Sequence, residues 1–193
     1  MTVKSGITNS AFIGVSNFHV APLTSDPADG TPTYGESIHI PKLKQVQIKP
    51  TSNSATLYAD NAACDTANTV SDYKLTIATA SLPLEYRAML LGHTLDDKGV
   101  LHVGADDTAP YFAVMFESLK SNGKKRYIRF AKVQFAEPSD DFKTKEDKIS
   151  YNTPSMEATA IYRDSDHIAV EYGDEEDDAF KDAATWFDLV PKS

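Results

Sequence analysis

The sequence contains one cysteine, Cys64, among 193 residues, so no disulfide can form within the chain. Folding in a reducing compartment is therefore expected. No apolar run is long enough to cross a membrane, and the first six residues lack the apolar core of a signal peptide. The nine glycines are scattered, and none of them forms a phosphate-binding loop. These absences argue against a disulfide-stapled, membrane-spanning or nucleotide-binding protein.

An excess of basic charge is also missing. The chain has 19 Lys and Arg against 28 Asp and Glu, a net charge of −9, and five acids form one run at 174–178. A broad basic surface for nucleic acid is therefore not expected. We interpret the acidic run as a solvated linker, because it lacks the alternating ligand pattern of a calcium loop.

Residues that commonly carry chemistry are present, but none is arranged for it. Cys64 lies in a polar stretch with no neighbour that would activate a thiol, and Asp106-Asp107 does not match a calcium loop. No two histidines have metal-ligand spacing, so each is interpreted as a surface or strand-end residue: His19, His39, His93, His102 and His167. The residues therefore predict no catalytic, cofactor-binding or metal site.

What the sequence does contain is a strong β pattern. Aromatic residues make up 10% of the chain and hydrophobic residues 41%, and residues 45–49 and 73–77 alternate between apolar and polar side chains. Residues 109–117 are nearly all apolar, which predicts a strand covered on both faces. Asn122-Gly123 predicts a hairpin, and the phase change in the following strand predicts a β-bulge near Phe130. A second hairpin is predicted from residues 156–163 and 168–172.

One helix is predicted at about 82–92, where the spacing of apolar residues changes from two to three or four. Ser81 is the expected N-cap, Pro83 suits the first turn, and Gly92 is expected to end the helix. The fold class is therefore mainly β, all-β or α+β: an antiparallel β-sandwich flanked by one short helix, with a second short helix near the C-terminus.

The chain divides on composition into two parts. Residues 1–172 are predicted to form one sandwich domain with long loops at 21–37 and 50–70, and residues 173–193 an acidic linker with a helical appendage. The 50–70 loop is expected to be mobile until a partner orders it. Seven apolar side chains are predicted to share the core: Leu75, Ile77, Leu90, Phe112, Val114, Phe116 and Ile128.

Short motifs through the body resemble the major tail protein, or tail tube protein, of long-tailed bacteriophages. The resemblance covers about residues 10–172 and also Trp186-Phe187, and it rests on the order and spacing of many motifs. They are Gly14–Phe18, Thr33–Gly35, Ala55–Asn61, Leu82–Glu85, Leu91–His93, Ala109–Tyr111, Phe116–Lys124, Glu137–Ser139, Thr144–Lys145 and Thr153–Pro154.

The resemblance implies a structural, non-enzymatic virion protein without a cofactor. It implies self-assembly into hexameric rings that stack into the hollow tail tube, through which double-stranded DNA passes to the host without specific binding. The tape measure protein and the tail terminator and tip proteins are the further partners it implies. Assembly in the bacterial host cytoplasm and localisation in the phage tail follow from the same resemblance.

Other functions remain open at this point. One alternative is a carbohydrate- or receptor-binding β-sandwich of a phage tail or a cell surface. Another is a tube protein of a related injection machine, such as a contractile tail or a type VI secretion tube. An enzyme built on a β-sandwich is the third, since a fold does not fix a function.

Overall fold

The computed structural model describes residues 10–59, 62–140, 144 and 153–190, and in these residues the chain is mainly antiparallel β-structure with one short α-helix. The elements in chain order are β1 (Phe12–Ser25), β2 (Thr33–Tyr34), β3 (Ile38–His39), β4 (Leu43–Ala59), β5 (Ala62–Thr79), α1 (Leu84–Leu91), β6 (Thr94–Leu95), β7 (Leu101–His102), β8 (Tyr111–Lys120), β9 (Lys125–Phe135), β10 (Ser155–Ile161) and β11 (Val170–Asp174). A single 3-10 turn follows at Asp182–Ala184.

Nine strands form one continuous sheet, in the order β2-β1-β8-β9-β10-β5-β4, with β3 paired to β1 and β11 to β9. The sheet curls until β4 approaches β1, so its two halves face each other as in a sandwich. One apolar cluster fills the space between them. The predicted sandwich-like, mainly β architecture is confirmed.

The predicted core is confirmed in all seven positions, from Leu75 to Ile128, because all seven are buried in that cluster. β8 is buried on both faces, as its apolar run indicated. Phe112, Val114 and Phe116 face the main cluster, whereas Ala113 and Met115 belong to a second cluster on the opposite face. The sheet around β8 is therefore the middle layer of the molecule.

β9 carries the predicted bulge and uses it to change partners. Against β8, residues 131 and 132 of β9 stand opposite Ala113 alone, so the register shifts just after Phe130. Before the bulge β9 pairs with β11, and after it with β10. The second predicted hairpin is therefore wrong: β10 and β11 follow one another along the same edge of β9 instead of pairing together.

The helix lies where it was predicted but begins differently. Pro83, not Ser81, occupies the N-cap position, and no side chain caps this end. Gly92 ends the helix at φ 75°, and a Cβ there would lie 2.3 Å from the carbonyl oxygen of Thr108. Leu90 and Leu91 bury the helix against the sheet, while Leu84 in its first turn is exposed.

The predicted loop at 50–70 is wrong. β4 has 17 residues and β5 has 18, and their pairing continues through this region to Ala59 and Ala62. The loop predicted at 21–37 is also shorter than expected, because β1 extends to Ser25 and β2 pairs back onto it. Ser, Asn, Asp and Ala have low β propensity, so composition hid the long strands.

The C-terminal segment is part of the packed molecule, which corrects the predicted acidic linker and helical appendage after residue 172. Asp174 is the last residue of β11, and Glu175 and Glu176 bond back to the body. The predicted helix is a single 3-10 turn at Asp182–Ala184. The rings of Phe180, Trp186 and Phe187 all contact Tyr127 of β9, and these contacts hold the segment on the sheet.

Candidate assembly surfaces

The outer half of the β4–β5 hairpin, residues 51–59 and 62–70, is the most exposed element; we call it the arm. Its described side chains at 52–56 and 64–69 are all exposed, although the strands remain paired with one another. Both faces of the arm therefore meet solvent. At about 3.3 Å per residue, nine residues extend roughly 30 Å.

An isolated two-stranded hairpin is marginally stable in water. The side chains at 52–56 and 64–69 bury little apolar surface that could offset the conformational entropy of holding the arm straight. Its side chains are mostly small and polar, with hydroxyl and amide groups such as Thr56 and Asn68 available on its surface. Such an element gains most from a partner surface that packs against it.

Cys64 lies on this arm and is exposed. The pairing shifts between Leu57 with Asp65 and Tyr58 with Ala63, so Cys64 is the extra residue of a bulge. Because its thiol is exposed, Cys64 is a position at which a chemical label can report on the surroundings of the arm.

The outer edge of β4 is the second surface. β4 is the last strand on its side of the sheet, and no described strand pairs with its outer edge. Pro50 lies in the middle of this strand, opposite Tyr73. A long unpaired edge offers a row of backbone groups to any strand that approaches it.

The third surface is already covered, by residues 175–190, which we call the strap. Phe187 and Leu189 pack on the second apolar cluster around Met115. The ring of Phe180 lies 5.6 Å from that of Tyr127, and Trp186 lies under the Arg129 guanidinium at 4.5 Å. The strap therefore closes the outer face of β8 and β9.

Ion pairs fasten the beginning of the strap. Lys120, whose side chain is 2% exposed, contacts Asp174 at 2.6 Å and Glu176 at 2.5 Å. Arg126 also contacts Asp174, at 2.7 Å. Burial lowers the pKa of Lys120, but its bonds to these two carboxylates outweigh that effect and the pKa is raised. Asp174 and Glu176 of the acidic run thus neutralise the buried Lys120 instead of remaining in solvent, whereas Asp177 and Asp178 are exposed.

We predict that Gly173→Ala loosens the strap. An added Cβ would lie 2.2 Å from Cε2 of Phe180, so the ring must move. Overpacking of this kind typically costs about 1–3 kcal/mol. Trp186, the only tryptophan, is buried beside Phe180 and should shift its fluorescence to longer wavelength. Gly14→Ala is the control, since nothing lies within 4 Å of the added atom; equal spectra for both variants would contradict the prediction.

The five histidines named in the sequence analysis do not form one site in the structure. His19 stacks on His39 and on Phe187, with ring centroids 4.9 and 4.7 Å apart, and burial lowers its pKa. The exposed His102 contacts Asp96 at 3.2 Å. His93 alone contacts two carboxylates, those of Asp107 and Glu137. His167 is exposed.

The part of the chain that the structure describes contains no group of three or more His, Cys, Asp or Glu residues placed to hold a metal ion. Nor does any helix within it have the length and apolarity to span a membrane. A shallow depression beside α1, too small to hold a water molecule, is lined mainly by apolar side chains, among them Leu82, Leu90 and Phe135. Its one charged lining residue, Arg87, is paired with Glu137 and Asp140.

The exposed features among the described residues are therefore the arm and the free edge of β4, and an unpaired strand edge is the kind of element on which another strand can pair. No curated protein sequence gives a significant match to this chain. The family model described as phage tail tube protein matches residues 43–191. The match begins at the first residue of β4 and includes the arm, strands β4 to β11 and the strap, whereas β1, β2 and β3 lie before it. This chain belongs to the phage tail tube protein family.

Proposed function

We propose that this chain is the major tail tube subunit of a long-tailed phage, and that it assembles into stacked hexameric rings forming a hollow conduit. The observation that carries the proposal is the arm, about 30 Å of paired β-structure with both faces exposed. A monomer gains little from such an element. A subunit of a tube can place it against a neighbour and bury it there.

The free edge of β4 supports ring formation in particular. An unpaired edge exposes backbone donors and acceptors, and closing strands around a ring removes such edges. A ring of identical subunits requires a heterologous contact, in which one surface of a subunit meets a different surface of the next. The edge of β4 supplies one of these surfaces, and the arm extends the same hairpin towards a further neighbour.

Passage of double-stranded DNA through the lumen is part of the proposal. The net charge of −9 and the lack of a broad basic surface in the sequence support a conduit that does not grip phosphates. Lys44 and Lys74 of β4 and β5 donate hydrogen bonds to the hydroxyls of Thr153 and Thr159, both at 2.8 Å.

The tape measure, terminator and tip proteins are proposed partners at the core and ends of such a tube.

Cys64 allows a direct test with the unmodified sequence. We expect concentrated purified protein to form rings or tubes in electron micrographs, and Cys64 to react with a maleimide more slowly in them than in the free subunit. The physical reason is that packing of the arm against a neighbour excludes the reagent from the thiol. Cys64→Ser provides the labelling blank.

Two results would contradict the proposal. One is a protein that remains monomeric at every concentration, which would favour a binding module. The other is a tube in which Cys64 reacts as fast as in the monomer, which would leave assembly intact but remove the arm from its contacts.

A further inference from the structure

A charged cluster at the end of α1 has a geometry that the assembly function does not require. Nδ1 of His93 lies 2.7 Å from a carboxylate oxygen of Asp107, and Nε2 lies 2.9 Å from one of Glu137. Arg87 binds the other oxygen of Glu137 and also contacts Asp140 at 2.6 Å. The His93 side chain is only 5% exposed. We call these five residues the His93 clasp.

The geometry fixes the protonation state of His93. A neutral imidazole has one N–H and one lone pair, whereas a carboxylate only accepts hydrogen bonds. Both ring nitrogens can donate only when His93 is a cation. The hydrogen bond to Glu137 and then that to Asp107 raise its pKa, against an opposing effect of burial.

The clasp joins three parts of the chain that are distant in sequence. His93 and Arg87 belong to the helix and its end, Asp107 to the turn after β7, and Glu137 and Asp140 to the chain that leaves β9. Asp107 also accepts the backbone N–H of Gly104 at 2.8 Å, so its position does not depend on His93. Glu137 and Asp140 are held by side chains of the clasp alone among the contacts described.

We propose that the clasp is a proton-operated latch, in which charged His93 helps to hold residues 137–140, which follow β9, onto the end of α1, and loss of its proton loosens them. After the loss, one ring nitrogen directs a lone pair at a carboxylate. The attraction becomes a repulsion within hydrogen-bonding distance. Among the contacts described, Arg87 is then the remaining link from α1 to Glu137 and Asp140, so one side chain holds this segment instead of two, and the sandwich stays folded.

The sign of the pH dependence follows from the raised pKa. The stabilisation is fully present below the ordinary histidine value of 6.5 and is lost as pH rises through the higher value of the folded protein. At the acidic side, the pKa values of Asp107 and Glu137 are lowered. Both carboxylates therefore stay charged until the pH falls below their usual range. The latch is closed between these two limits and opens on the alkaline side.

The test compares His93→Gln with His102→Gln in the full chain. His102 is the matched control, because it contacts one carboxylate and its side chain is 61% exposed. Melting temperature is measured from about pH 6 to about pH 10. We expect His93→Gln to remove an alkaline fall of at least about 2 °C that the original chain and the control share.

Two further measurements keep the latch testable if His93→Gln fails to fold. Nitrogen NMR of the original chain should show both His93 ring nitrogens protonated near neutral pH, and amide exchange at residues 137–140 should accelerate as His93 deprotonates. A single-tautomer neutral His93 at pH 7, or exchange at 137–140 that ignores its titration, would overturn the proposal. An alkaline fall that persists in a folded His93→Gln variant would do the same.

Discussion

Replacing residues 54–68 by a two-residue Asn-Gly turn is expected to abolish tube formation and leave the subunit folded. Asn53 and Thr69 are direct partners in the hairpin, so a tight turn can join the strands there. The removed side chains that are described are exposed, and the change in unfolding free energy should stay within about 1 kcal/mol. Electron microscopy and chemical denaturation measure the two effects separately.

Cys64→Ser is the matched control for this deletion. It keeps the length and pairing of the arm and replaces one exposed sulfur by oxygen, so assembly should be unchanged. Tubes formed by the shortened chain at the same concentration as by the control would show that the arm is dispensable. A shortened chain that does not fold would show instead that the arm stabilises the body.

Phe116→Ala is expected to lower the free energy of unfolding by about 3–5 kcal/mol. Phe116 of β8 is 4% exposed and packs in the main cluster between the two halves of the sheet. Its surroundings come from strands fixed on both sides by sheet pairing, so the cavity has little freedom to collapse. Equilibrium denaturation measures the loss.

Phe12→Ala removes the same atoms from a position that is 51% exposed. The Arg126 guanidinium lies 4.8 Å from this ring, a contact worth about 0.5–1 kcal/mol at exposed sites. Phe116→Ala should therefore lower the free energy of unfolding several times more than Phe12→Ala. Similar losses at Phe12 and Phe116 would mean that the core has been assigned to the wrong strands.

The core, α1 and the bulge could be predicted because each leaves a local signal. Alternation marks a strand with one buried face, Gly92 marks a helix end that needs a positive φ, and a phase change near Phe130 marks an extra residue. These signals depend only on neighbours in sequence. The structure therefore agrees with them closely.

The arm and the strap leave no such signal. A strand exposed on both faces has no reason to alternate, so residues 51–59 resemble a loop in composition although they are paired. Asp174 and Glu176 are explained by Lys120 and Arg126, which lie about fifty residues earlier. The His93 clasp likewise gathers side chains from three separate stretches. Only the tertiary structure brings such partners together.

Pro50 has a consequence for how the subunit meets others. Proline has no backbone N–H, and in a sheet it is tolerated where the missing donor would point to the open edge. The outer edge of β4 is thus interrupted near its middle, with residues 43–49 on the body side and 51–59 along the arm. Each half is about the length of an ordinary strand. The β4–β5 hairpin therefore has two separate edge segments for backbone pairing. A neighbouring strand that pairs with one segment does not continue unbroken along the other.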